Sequence, residues 1–182
     1  YNRSNSRYRA DSLDNNPDWH MAFGRVGDTE TILFENTLKK KYSKYHAFID
    51  VFPIDGIPDN MIMHKFLVLI QKTLGVIGNA SAFIYLPSKH FSDSKEENIS
   101  IKNKLTIVKY ILITLLAWVP TQKVFLLVNS ISKKFNFNSC NNVGLTVYVW
   151  NWSFEYASRK SMLSGIKLKF EESEFWAPKG YD

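Results

Sequence analysis

A single cysteine, Cys140, stands among the 182 residues, which excludes an intrachain disulfide and a cysteine-based zinc site and fits a reducing compartment. The four histidines, His20, His46, His64 and His90, show no close metal-ligand spacing and read as scattered surface or half-buried side chains. The most apolar stretch, Leu105 to Val119, is fifteen residues long and carries Thr106, Lys109 and Thr114, short of the roughly 20 residues of an ordinary membrane span. Internal repeats and low-complexity tracts are absent, and no signal-peptide pattern follows Tyr1.

What is present points to a folded domain. The chain is 45% hydrophobic and 15% aromatic, a globular composition, and its length suits one domain with a real core. Lys and Arg number 23 against 17 Asp and Glu, so the net charge is +6 and favours polyanionic partners: nucleotides, anionic lipid surfaces or phosphate-bearing polymers. The ends, Tyr1 rather than Met and Pro178-Lys179-Gly180-Tyr181-Asp182 without a polar tail, lead us to expect a piece of a longer protein.

Residues 1–18 are polar, with Arg3, Arg7 and Arg9 among Ser, Asn and Asp, and read as a loop or extended lead-in. Trp19 to Val26 alternates as a strand with Met21, Phe23 and Arg25 on one face. Asp28 or Thr29 then suits the cap of a short helix through Leu38, and the basic run Lys39-Lys40-Lys41 reads as its solvated end. Ala47 to Phe52 alternates again, placing Phe48, Asp50 and Phe52 on one face, until Pro53 stops the strand. Asp59 or Asn60 can cap a helix beginning near Met61.

Residues 61–135 read as a helical insert. Its first helix carries His64, Lys65, Gln71, Lys72 and Thr73 as one wet face on a mostly buried rod. A polar linker, Ser88 to Asn103, leads to the apolar helix at Leu105–Val119, and after Pro120 a further helix runs from Gln122 to about Phe135. The insert is either a buried helical hairpin or a surface dipping into one membrane leaflet, a reading that Trp118 and the basic excess favour. Leu145–Trp150 and Ile166–Glu171 alternate as half-buried strands, and Glu172-Ser173 should turn the second into a return strand ending at Pro178. Helices in the middle with strands on both sides make α+β the expected class.

The chemistry concentrates in Phe48-Ile49-Asp50-Val51-Phe52-Pro53-Ile54-Asp55-Gly56. A carboxylate inside an apolar strand is costly unless paired, solvated or metal-bound. Asp50 therefore suits a magnesium ligand that also takes a proton from an attacking hydroxyl, while a pairing with a nearby Arg or Lys stays open. Asp55 can support it from the turn or simply organise that turn. Arg25 can hold a diphosphate bidentately or form a salt bridge.

The same block resembles the "IDIFPLDG" block of the LicD family, bacterial phosphorylcholine transferases that share a nucleotidyltransferase-like fold with fukutin-type enzymes. Phe23-Gly24-Arg25-Val26-Gly27-Asp28-Thr29-Glu30-Thr31 looks like the family's basic-plus-Thr segment, and Phe170-Glu171-Glu172-Ser173-Glu174-Phe175-Trp176-Ala177-Pro178-Lys179-Gly180-Tyr181-Asp182 looks like its "FEG…F…P.GYD" segment. The resemblance implies one partial LicD-like domain over 1–182, an incomplete nucleotidyltransferase-like mixed sheet with the insert at about 61–135. It implies magnesium-assisted transfer of phosphorylcholine, or a related phospho group, from a CDP-choline-like donor to a sugar hydroxyl of a cell-surface glycan such as teichoic acid or lipopolysaccharide. Asp50 takes the catalytic and metal position in that comparison, and Arg25 and Asp55 the substrate-binding positions. The acceptor would be lipid-linked and the protein cytoplasmic, peripheral on the inner face of the membrane, with no nucleic acid partner.

The chain departs from the family in having no DDDID-like cluster; Asp11, Asp14 and Asp18 do not form a D-x-D strand, and magnesium binding and activity are expected to be weak or absent for this chain alone. The alternative is a non-catalytic basic module that binds a membrane surface or another polyanion.

Overall fold

The computed structural model describes residues 7–35, 38–82, 114–116 and 118–178. It is α+β, with helices and exclusively antiparallel strand pairs among the described residues. The chain divides into two compact units, Tyr1–Val51 with Val76–Leu126, and Phe52–Gly75 with Leu127–Asp182. The division runs through two helices, α1 (Met61–Ala82) and α2 (Thr121–Ser132), and not at the edges of residues 61–135.

In the first unit β1 (Tyr8–Asp11), β2 (Gly24–Phe34) and β3 (Lys44–Val51) form a sheet in the order β1-β2-β3. The expected strand at Ala47–Phe52 is β3, begun three residues earlier and stopped before Pro53. The polar lead-in contributes the edge strand β1, and Trp19 to Phe23 is loop, pinned where the Trp19 indole Nε1 donates to Phe23 O at 2.7 Å.

The expected helix from Asp28 to Leu38 is absent; β2 continues to Phe34. Asp28 does accept the backbone N–H of Glu30 at 3.1 Å, the local bond that makes Asp a good helix cap, but here it shapes an irregularity in the ladder between Asp28 and Leu33. Thr31 completes it, its Oγ1 accepting from Ala47 N at 2.7 Å. The β-branched and aromatic run Thr31-Ile32-Leu33-Phe34 then favours pairing over helix. Arg7 grips Asp28 through both carboxylate oxygens, at 2.9 and 2.5 Å, and holds that carboxyl below its usual range.

The second unit holds β4 (Asp55–Ile57), β5 (Asn142–Trp150) and β6 (Ser153–Ser158) in the order β4-β5-β6, with a 3-10 turn at Phe137–Ser139 just before β5 and the short helix α3 (Arg159–Leu163) after β6. Its core joins Ile57, Leu67, Val68, Val149 and Phe154, with Ile131 and Phe135 packed against them. The expected hairpin is β7 (Gly165–Phe170) with β8 (Ser173–Pro178). Its turn uses Glu171 at φ 53, and Phe170, Phe175 and Trp176 stay exposed, so the hairpin is wetter than its alternation suggests.

Helix α1 starts where Asn60 Oδ1 accepts the N–H groups of Ile62 and Met63, at 2.9 and 3.1 Å, a cap worth about 1 kcal/mol. Of the expected wet face, Lys65 and Thr73 are exposed and His64 and Lys72 half-buried, but Gln71 is not on it, and the rod is less buried than expected. Gln71 is 2% exposed, donating to Val128 O at 3.1 Å and Ser132 Oγ at 2.8 Å on α2, whereas Ile62 (80%), Phe66 and Leu69 face out. The neighbouring helix satisfies the amide NH2 of Gln71, while its Oε1 has no partner among the described residues, so polarity alone misplaces this residue. The linker Ser88–Asn103 and nearly all of Leu105–Val119 lie outside the described residues.

Candidate functional site

Antiparallel register sets Arg25 of β2 directly opposite Asp50 of β3, so the two side chains project from the same face of the sheet. Arg25 Nε donates to Asp50 Oδ1 at 2.7 Å. The guanidinium sits 3.4 Å from the centre of the Phe48 ring and within 5.8 Å of those of Tyr45 and Trp19, and its Nη2 reaches Met21 Sδ at 3.5 Å. Its side chain is 9% exposed, that of Asp50 26%. An arginine so enclosed is held by charge and by ring faces together, each desolvated cation–π contact adding about 1–2 kcal/mol. The partner that Asp50 needs as a strand carboxylate is therefore Arg25.

Asp55 opens β4 in the other unit, opposite Gly144, and accepts from Thr146 Oγ1 at 3.3 Å. Burial raises its carboxyl above the usual range, against the opposing pull of the Thr146 hydrogen bond and the Lys133 charge. The same block also serves the fold. Ile57 is 1% exposed, Asp59 accepts from Asn141 Nδ2 at 2.9 Å, and Gly56 N donates to Phe135 O at 2.8 Å.

Magnesium takes several oxygen ligands in a near-octahedral shell, commonly one or two carboxylates with waters and substrate phosphates. Among the described residues no group of three or more His, Cys, Asp or Glu could hold a metal. Asp50 offers one carboxylate whose Oδ1 is engaged by a guanidinium, and that positive charge opposes a divalent cation. As arranged, these residues do not fit a magnesium site.

Beside the pair, the first unit encloses a cavity of about 70 Å³. Arg9, Arg25, Lys41 and Lys44 line it against Asp11 and Asp18, an excess of two positive charges. Trp19, His20 and Tyr42, all buried, also line it, together with Asn16, Gly27, Tyr45 and His46. His20 stacks on Tyr42 with ring centroids 4.6 Å apart, and its Nε2 has no hydrogen-bond partner among the described residues. Burial first, then the charges of Arg25 and Lys41, pushes the His20 pKa down to about 4, so the ring is neutral at pH 7. In the sequence His20 reads as a surface or half-buried side chain and Lys39-Lys40-Lys41 as a solvated helix end. The signal in the sequence is the alternation Lys41-Tyr42-Ser43-Lys44-Tyr45, which becomes a site once β1 and β2 are placed.

No family model, curated protein or solved structure matches this chain. The resemblance to the LicD family thus rests on the three quoted segments. Of their site residues, Arg25 and Asp50 lie in one unit and are bonded to each other, while Asp55 is built into the other.

Proposed function

We propose that the chain is the LicD-like part of a transferase that moves phosphorylcholine, or a related phospho group, from a CDP-activated donor to a sugar hydroxyl of a cell-surface glycan. The observation that carries this reading is the pairing of Arg25 with Asp50, the two positions the resemblance assigns to donor phosphate and to catalysis, on facing strands at 2.7 Å. A guanidinium so held can exchange its carboxylate for an incoming phosphate, since both present paired oxygens to the same planar fork. Asp50, released, is then a base for the acceptor hydroxyl. The nucleotidyltransferase-like fold and the magnesium requirement belong to this proposal, with further carboxylates from a D-x-D strand that this chain does not contain.

The test uses a polypeptide joining a Gly loop and D-x-D strand of the family to Tyr1, assayed for CMP release from CDP-choline with magnesium and a sugar acceptor. Asp50→Asn should lower turnover at least ~100-fold, the low end of what a general base contributes. The comparison is made at a temperature where far-UV circular dichroism shows both proteins folded. Turnover by Asp50→Asn at the parent rate would sink the assignment.

A second reading, a basic module on the inner membrane surface, is favoured by α1. It is long and apolar enough to cross a bilayer, yet only 22% of its most apolar stretch is buried. Ile62, Phe66 and Leu69 follow i, i+4, i+7 on one exposed face, flanked by Lys65 and with no Asp or Glu on the helix, as suits an anionic interface. Phe66→Asp with Leu69→Asp should weaken co-sedimentation with phosphatidylglycerol vesicles at least tenfold. Failure of the parent to sediment with them removes this reading.

A further inference from the structure

We infer that the cavity between β1, β2 and the turn leading into β3 is a binding site for a single phosphoryl group, as inorganic phosphate or the end of a phosphomonoester. The inference stands apart from the transferase reading: it requires no nucleotide donor and no chemistry, although Arg25 belongs to both.

Size limits the occupant. A cavity needs about 10–15 Å³ to admit one water, so 70 Å³ holds several waters or one tetrahedral oxyanion and is too small to enclose a nucleotide or a sugar ring.

Charge selects its sign. Asp11 already holds Arg9 at 2.8 Å, and Asp50, outside the lining, holds Arg25. Lys41 is only 3.9 Å from Asp18, and its Nζ lies 4.5 Å from the centre of the Tyr42 ring. Lys44 makes no ion pair among the described residues. Even after Asp11, Asp18 and Asp50 are each assigned to one cation, a positive charge remains on this small volume, and no further carboxylate lines it among the described residues.

Geometry selects the shape. The rim cations come from three places, Arg9 on β1, Lys41 in the turn and Lys44 at the start of β3. Several cations lining one small volume suit a phosphoryl group, which offers three acceptor oxygens and up to two negative charges, better than a carboxylate with two oxygens and one charge. The neutral, buried His20 beneath them has an unpaired ring nitrogen, and a neutral imidazole can place a proton on the nitrogen that meets an acceptor.

The test is calorimetric titration of the 182-residue chain at pH 7.5 with inorganic phosphate and separately with glycerol phosphate, against sodium chloride at matched ionic strength. Saturable binding of phosphate is expected, weakened roughly tenfold or more by Lys41→Ala with Lys44→Ala, both exposed positions, after circular dichroism confirms the fold. Binding of phosphate alone would identify the free ion as occupant, and binding of both compounds a phosphomonoester end. A second readout is the His20 ring signal across a pH titration: a bound anion should raise its pKa from the low value set by burial, Arg25 and Lys41. No saturable binding by the parent, or equal binding by the double variant, overturns the inference.

Discussion

Arg25→Met is expected to lower the folding free energy by about 3 kcal/mol, read as a fall in the urea midpoint with an unchanged slope. Removing one partner of a buried ion pair typically costs about 3–5 kcal/mol, because the charge left behind has neither water nor counter-charge. Here the lower end applies. The Asp50 side chain keeps 26% of its surface, so water solvates part of the orphaned carboxylate, and methionine fills the apolar space between Phe48, Tyr45 and Trp19. Adding Asp50→Asn to Arg25→Met should recover part of the loss, and a double-mutant cycle isolates the coupling. A single variant with the parent's midpoint would mean that the pair contributes nothing to the fold. The measurement matters for function too, since a phosphate ligand would compete for the same guanidinium.

Gly56→Ala should be as damaging, for a reason of space. A Cβ at position 56 would lie 2.6 Å from Asn136 O, 2.7 Å from Cys140 Sγ and 2.8 Å from Phe135 O. Two of these are backbone oxygens that cannot rotate aside, and Gly56 N–H is itself bonded to Phe135 O. Relief requires β4 to move off the 3-10 turn, which uncovers Ile57 in the core. Overpacking of this kind costs about 3 kcal/mol, or a fall in Tm of roughly 10 °C for a chain of this size. Gly75→Ala is the control: nothing among the described residues lies within 4 Å of its added Cβ, and alanine in a helix interior is favoured by up to about 1 kcal/mol. A Gly56→Ala protein melting within about 2 °C of the parent would show that the strand and turn separate freely.

This glycine bears on how the Phe48–Gly56 block is read. Its residues look like one catalytic motif, but Asp50 closes an ion pair in one unit while Asp55, Gly56 and Ile57 build the other. Part of what makes the block distinctive is packing: a backbone approach only glycine permits, and an isoleucine that is 1% exposed.

Where a feature depends on neighbours in the chain, the amino-acid sequence determined it. Alternation and Pro53 defined β3, Asn60 capped α1, Pro120 preceded α2, and the polar Glu171-Glu172, one residue before the expected Glu172-Ser173, turned β7 into β8, because each signal acts within a few residues. The α+β class followed from their order. What only the tertiary structure decided are the outcomes that need a distant partner. Asp28 reads as a helix cap until Arg7 and β3 claim its surroundings and keep residues 29–34 extended. Gln71 reads as solvent-facing until α2 supplies an acceptor carbonyl and the Ser132 hydroxyl. Arg25 and Asp50, 25 residues apart, become one buried pair only through strand register. The cationic cavity exists because β1, β2 and the Lys41 turn converge around His20, and charges separated along a chain create a local field only when folding brings them within a Debye length of one another.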